Sequence, residues 1–243
     1  MKTFVSFAIL FLMTRALFAA EPSAQFAKAN QEYAAGDFQS AINDYEELVR
    51  SGQDAPNLFY NLGNAYFRKK DFGRAILSYE RALVLNRRFA EAQANLRIAQ
   101  DEARALELLP TRWESFFAVA NENQFAVAAA FAFWIGMLAI AVFVFNRRRS
   151  FLTLSIFSLS IFAIAITGVY QLGHGKNGNG LAIVTEEKVE ARIATADNTN
   201  RVLALPAGSE IKIVSRRGDW IYAALPNNLR GWMPARNAEQ VRM

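Results

Sequence analysis

The stretch Asn57–Asn86, NLFYNLGNAYFRKKDFGRAILSYERALVLN, decides the fold of the N-terminal part of this 243-residue chain. It shares a pattern with the segment 34 residues before it, and three pairs of neighbours recur at that spacing: Asp37-Phe38 as Asp71-Phe72, Ala41-Ile42 as Ala75-Ile76, and Tyr45-Glu46 as Tyr79-Glu80. A fixed period of this length is typical of a helix–turn–helix unit that buries its apolar face only by stacking on a neighbour. The pattern therefore predicts stacked helix pairs, an architecture that holds other molecules and rarely catalyses.

The repeat closely resembles the tetratricopeptide repeat. Six residues occupy the signature positions of its two helices: Leu62, Gly63, Tyr66, Ala75, Tyr79 and Ala82. An earlier, looser repeat has Ala29 in place of the glycine, and a further helix predicted from Phe89 to Leu108 caps the stack. We expect an all-α repeat domain over residues 21–108.

The first helix of each repeat lines the inner face of such a stack. By pattern position the candidates for binding a peptide there are Asn30, Tyr33, Tyr60, Asn64, Phe67 and Arg68. The asparagines have amides suited to an extended peptide backbone, and Arg68 suits a carboxylate. The lysines of the carboxylate clamp found in some family members are missing. The alternative, that these side chains only solvate the surface, stays open.

Residues 1–20 are predicted to be a secretory signal peptide. Lys2 precedes an apolar run from Phe4 to Met13, and small residues follow at Ala19 and Ala20. Phe18 and Arg15 fit a cleavage site poorly, so retention of the segment as an anchor remains an alternative.

Two uncharged apolar segments, residues 125–145 and 151–172, are each long enough to cross a bilayer. The loop between them, residues 146–150, contains Arg147, Arg148 and Arg149. Arginines in a short loop favour the cytoplasmic side. We therefore expect a two-helix transmembrane hairpin, with both flanking domains on the side of the membrane opposite the arginine loop. The alternative is a pair of buried helices in a soluble core.

Residues 109–124 join the repeats to the first span. Thr111 and Glu114 form a capping-box pattern, and Trp113 lies between them. A short interfacial helix with Trp113 at headgroup depth is one interpretation. A packed linker is the other.

A Gly- and Asn-rich linker, residues 173–180, precedes a segment with the alternation of β-strands, residues 181–243. Its Gly-Trp-Met-Pro motif at 231–234 resembles that of the bacterial SH3-like domain, which implies a small all-β barrel. The resemblance also implies an aromatic groove for cell-wall (peptidoglycan) peptides or Pro-rich segments. The candidates are Trp220, Tyr222 and Trp232. The alternative that both tryptophans belong to the core stays open.

Composition excludes several chemistries. The chain has no cysteine, and its one histidine, His174, lies at the edge of an apolar span, so we expect neither a metal site nor another cofactor. The net charge is +5, but no segment carries the basic stripe that nucleic acid requires. No nucleophile has an identifiable base, and we expect no enzymatic activity.

The order of these parts resembles the BatE-like proteins of bacterial aerotolerance operons. The resemblance implies a scaffold in the bacterial inner membrane, with the repeats and the barrel on the periplasmic side. It also implies that the protein works with membrane-bound von Willebrand factor A-domain proteins and a MoxR-type ATPase. A wall-binding sensor that uses the SH3-like domain is the alternative.

Overall fold

The computed structural model describes residues 24–176, 178–196 and 198–242. The predicted signal peptide lies outside these residues. The chain divides into two compact units, and the boundary falls between Ala99 and Gln100.

The first unit contains two helical hairpins and the beginning of a fifth helix. The helices are α1 (Ala24–Ala34), α2 (Phe38–Arg50), α3 (Pro56–Arg68), α4 (Phe72–Leu85) and α5 (Ala90–Ala103). Asp37 and Asp71, which are 34 residues apart, cap α2 and α4 by accepting a backbone N–H three residues on. The predicted helical repeats are confirmed.

Close packing within the second hairpin depends on Gly63. A Cβ atom at this position would lie 2.7 Å from the ring of Tyr79, which is fully buried. Because Gly63 has no side chain, the Tyr79 ring of α4 packs directly against the backbone of α3.

Helix α5 ends earlier than the sequence predicts. The expected helix ran to Leu108, but α5 stops at Ala103, and Arg104 has a left-handed backbone with φ of 52°. Leu106 then packs against the apolar core of the C-terminal sheet instead of continuing the helix face. Burial against a distant part of the chain outweighs the local helical pattern here.

The second unit contains a short helix, α6 (Arg112–Phe117), and two long apolar helices, α7 (Glu122–Asn146) and α8 (Arg149–His174). By length and composition α7 and α8 can each cross a membrane. They pack along each other, and the Ser158 hydroxyl on α8 donates to the Ala132 carbonyl on α7 at 2.6 Å.

The C-terminal part of this unit is an antiparallel sheet of seven strands. The strands are β1 (Leu181–Val184), β2 (Val189–Arg192), β3 (Arg201–Leu205), β4 (Glu210–Arg217), β5 (Trp220–Ala224), β6 (Arg230–Pro234) and β7 (Ala238–Gln240). Their order across the sheet is β3-β2-β6-β5-β4-β1-β7. Within the described residues no ladder joins β3 to β7, so the sheet is open and the predicted closed barrel is not confirmed.

One face of the sheet holds the core, in which Ile211, Ile221 and Met233 are fully buried. Gly231 of the Gly-Trp-Met-Pro motif lies so close to β2 that a Cβ atom would be 3.0 Å from the Ala191 side chain. The glycine therefore sets the spacing of β2 and β6 at this point.

Candidate binding surfaces

Two of the predicted peptide-binding residues, Asn30 and Asn64, are nodes of a repeated hydrogen-bond network. The Oδ1 atom of Asn30 accepts from the Tyr45 hydroxyl at 2.6 Å and from Asn61 Nδ2 at 2.9 Å. The Oδ1 atom of Asn64 accepts in the same way from Tyr79 and Asn95, both at 2.8 Å. Donors and acceptors in the two sets are related by the 34-residue period.

This network fixes the orientation of the two amides. Since the Oδ1 atoms of Asn30 and Asn64 are engaged, their Nδ2 groups point away from the bonded neighbours. Among the described residues neither Nδ2 group has a hydrogen-bond partner, and both side chains are only partly buried. Two oriented donors, one from each repeat, are thus available to carbonyl groups of a ligand.

Sequence reasoning missed Asn61 and Asn95, the residues that tie neighbouring first helices together. The Asn95 amide donates both to Asn64 and, at 3.3 Å, to the hydroxyl of Tyr60, another predicted peptide-binding residue. The signal was in the sequence, because Asn61 and Asn95 are themselves 34 residues apart.

The tyrosines of the network are buried donors. Burial raises the pKa of Tyr45 to about 12 and also raises the pKa of Tyr79. Both phenols therefore stay protonated well above neutral pH, which keeps the orientation of the asparagines constant.

The other three predicted residues form an aromatic and cationic cluster at the helix turns. Tyr33 packs edge-on against Phe38, with ring centroids 5.4 Å apart, and Phe67 packs on Phe72 in the equivalent way one repeat later. The Arg68 guanidinium lies 4.5 Å from the centre of the Phe38 ring. Arg68 is exposed, and no ion pair engages it within the described residues.

The structure places Trp220, Tyr222 and Trp232 on the sheet face opposite the core. Their neighbours Ile221 and Met233 point into the core, whereas the three aromatic side chains are half-buried. Tyr222 and Trp232 form a cross-strand pair with ring centroids 5.0 Å apart. None of the three belongs to the buried core cluster of the sheet.

A cleft of about 540 Å³ opens beside β2. It is lined by both acidic and basic side chains, among them Glu186, Glu190, Arg192 and Arg236, together with Pro234. Arg192 is paired with Glu190 at 2.8 Å, so part of this charge is neutralised internally.

The three arginines predicted to set the topology lie at the turn between α7 and α8. Arg147 has a left-handed backbone and closes α7 by donating its N–H to the Phe143 carbonyl. Arg148 precedes α8, and Arg149 is its first residue. All three are exposed.

Comparison with known proteins identifies the class of the helical part. Residues 26–87 match the tetratricopeptide repeat family. No curated protein matches the chain. The match covers the two helical hairpins and the asparagine network except for Asn95, which lies on α5. Repeats of this class form extended binding surfaces. The chain thus contains tetratricopeptide repeats, which suggest a role in protein–protein interaction.

Proposed function

We propose that this protein is a non-enzymatic, membrane-anchored scaffold that grips an extended segment of a partner protein on its first helices. The observation that carries the proposal is the pair of oriented Nδ2 donors on Asn30 and Asn64. Two such donors on successive repeats can each bond a carbonyl group of one extended chain. Arg68 and the nearby aromatic rings add a cationic and apolar end to this surface.

The anchor in this proposal is the α7–α8 hairpin in a bacterial inner membrane. The exposed arginines at its turn favour the cytoplasm for that end, which leaves the repeats and the sheet in the periplasm. The BatE-like order of domains suggests the partners, membrane-bound von Willebrand factor A-domain proteins and a MoxR-type ATPase in an aerotolerance complex.

The decisive variant replaces both Asn30 and Asn64 by aspartate. Aspartate keeps the acceptor oxygen for the tyrosine and asparagine donors but removes the Nδ2 donor. We expect recovery of crosslinked partners from the native cells to fall about tenfold or more, since two hydrogen bonds are lost and two negative charges are added. Quantitative mass spectrometry of a pull-down of the full-length protein measures this.

Asn43→Asp is the control for an added carboxylate, because Asn43 is exposed on α2 and the substitution adds one negative charge outside the proposed surface. Its recovery should equal that of the parent protein. Unchanged recovery with the Asn30→Asp, Asn64→Asp variant, while its helical circular dichroism matches the parent, contradicts the proposed surface.

The topology is tested with single cysteines in a chain that has none of its own. We expect an impermeant thiol reagent to label Gln53→Cys and Asn198→Cys from the periplasmic side and to leave Ser150→Cys unlabelled. All three positions are exposed. Ser209, which precedes β4, is not used as a labelling position, because it is buried and accepts the Leu106 N–H. Labelling of Ser150→Cys alone would invert the arrangement.

A second candidate function, binding of cell-wall peptides, is favoured by the cross-strand aromatic pair Tyr222 and Trp232. In this alternative the ligand binds the face of the SH3-like sheet that lies opposite the core. The same pull-down separates the two functions. Wall fragments recovered equally with the asparagine variant and the parent, and lost with Trp232→Ala, would assign binding to the sheet.

A further inference from the structure

Helix α6 has one side packed on the end of the α7–α8 hairpin. Phe117 is 4% exposed, and its ring meets that of Phe125 on α7 at a centroid distance of 5.7 Å. Gly168 on α8 makes room for both rings, since a Cβ atom there would lie 2.9 Å from Phe125 and 3.1 Å from Phe117. The helix is therefore seated at a fixed height on the hairpin.

A second side of α6 is polar and contacts the segment that follows α8. Glu114 completes the capping box with Thr111, and its Oε2 atom also accepts the Lys176 backbone N–H at 3.1 Å. This contact fixes the rotation of α6 about its own axis.

The third side of α6 is apolar and exposed. Trp113 and Phe116 are each 65% exposed, and Leu109 and Val119, which flank the helix, are also exposed. The sequence left an interfacial helix and a packed linker as alternatives. In the structure one aromatic residue of α6, Phe117, is packed, and Trp113 and Phe116 remain uncovered.

The position of α6 along the axis of the hairpin matches the edge of the hydrocarbon core of a bilayer. Trp134, at the middle of α7, marks the centre of the span, and Phe125 precedes it by nine residues, roughly 13 Å at about 1.5 Å per residue. Half of a hydrocarbon core is about 15 Å thick. The contact between the Phe117 and Phe125 rings thus lies near the boundary between acyl chains and headgroups.

We propose that α6 is an interfacial helix that inserts Trp113 and Phe116 into the boundary between headgroups and acyl chains, on the side of the bilayer that carries the sheet. The inference rests on the proposed membrane anchoring of α7 and α8. A lipid surface is the occupant, because the exposed rings continue the apolar surface of the hairpin at the depth where tryptophan is enriched. Glu114, on the polar side, remains with the chain above the membrane.

The test uses the full-length protein in phosphatidylcholine–phosphatidylglycerol vesicles that contain brominated lipids. Bromine near the headgroup end of the acyl chain quenches shallow tryptophans, and bromine near the methyl end quenches deep ones. The variants Trp113→Phe and Trp134→Phe each remove one emitter and retain an aromatic ring. Both keep Trp220 and Trp232 in the sheet, so the difference from the parent isolates one side chain.

Trp134 is the control for anchoring, since it is 70% exposed at the middle of α7. We expect Trp134→Phe to remove most of the quenching by deep bromine, and Trp113→Phe to remove at least half of the quenching by shallow bromine. Deep quenching that depends on Trp134, with shallow quenching unchanged by Trp113→Phe, overturns the interfacial helix and leaves the anchor standing. Absence of quenching by deep bromine in the parent protein overturns both the interfacial helix and the membrane anchor.

Discussion

Lys176→Met is expected to lower the free energy of unfolding of the second unit by about 3 kcal/mol, because it leaves a buried carboxylate without its counter-ion. Glu210, at the start of β4, is 2% exposed, and its Oε2 atom lies 2.8 Å from the Lys176 ammonium. The same oxygen accepts the Leu108 N–H at 2.8 Å. Glu210 thus joins the chain that precedes α6 to the chain that follows α8.

The effect should depend on pH in a defined direction. Burial raises the pKa of Glu210, and the charge of Lys176 opposes that rise. Between its unfolded and its higher folded pKa the carboxyl binds more protons in the folded protein, so stability falls as pH rises through this window. Without Lys176 the folded pKa rises further, the window extends upward, and the deficit of the variant grows with pH.

Denaturation of the full chain in detergent micelles, followed by the emission of the sheet tryptophans, measures the loss. Glu210→Gln in the Lys176→Met background is the matched control and should recover most of the deficit, since it removes the uncompensated charge but retains an acceptor for Leu108. A Lys176→Met protein within 1 kcal/mol of the parent at pH 8, or a deficit that does not change with pH, contradicts this account of the pair.

Tyr79→Ala should destabilise the repeat domain by about 4 kcal/mol, the usual cost of removing a buried aromatic ring. The ring is 1% exposed and fills the space beside Gly63. Its hydroxyl also holds Asn64, so the variant removes packing and one bond of the network together.

Tyr79→Phe separates these two contributions, because it keeps the ring and removes only the hydroxyl. We expect it to cost about 1 kcal/mol, the net value of one hydrogen bond. Hydrogen exchange of α3 and α4 in the full chain reports both values, since the tryptophans all lie outside the repeat domain. Equal losses in the two variants would show that the hydrogen bond, not the packing, dominates.

Much of the fold was predictable because its signals are local. The period of 34 residues fixes the helix pairs, and Asp37 and Asp71 begin their helices through bonds to residues three positions away. The two apolar helices follow from uninterrupted hydrophobicity, and the strands from alternation. The aromatic residues of the sheet were selected from the sequence as candidates for a groove. Alternation alone does not say which face of the sheet holds the core.

The structure shows which neighbours surround the residues that are predicted to bind a peptide. Asn30 and Asn64 were selected as ligand donors, and the structure shows that one half of each amide is bound internally while the other half stays available. Their bonding partners lie 15 and 31 residues away in sequence, beyond the reach of helical periodicity. Arg68, which is predicted to suit a carboxylate of the ligand, lies with its guanidinium over the Phe38 ring of the preceding repeat.

By itself the sequence determined the repeat, its signature residues, the two long apolar helices and the alternating strands, because each depends on contacts within one or two turns or on a period along the chain. Only the tertiary structure decided where Leu106 packs, which oxygen of Glu210 joins two distant segments, and that the sheet stays open. The contacts of Leu106 and Glu210 join residues 102 and 103 positions apart, and the open sheet depends on which distant strands pair. Burial of the core sets these approaches, and no local pattern does.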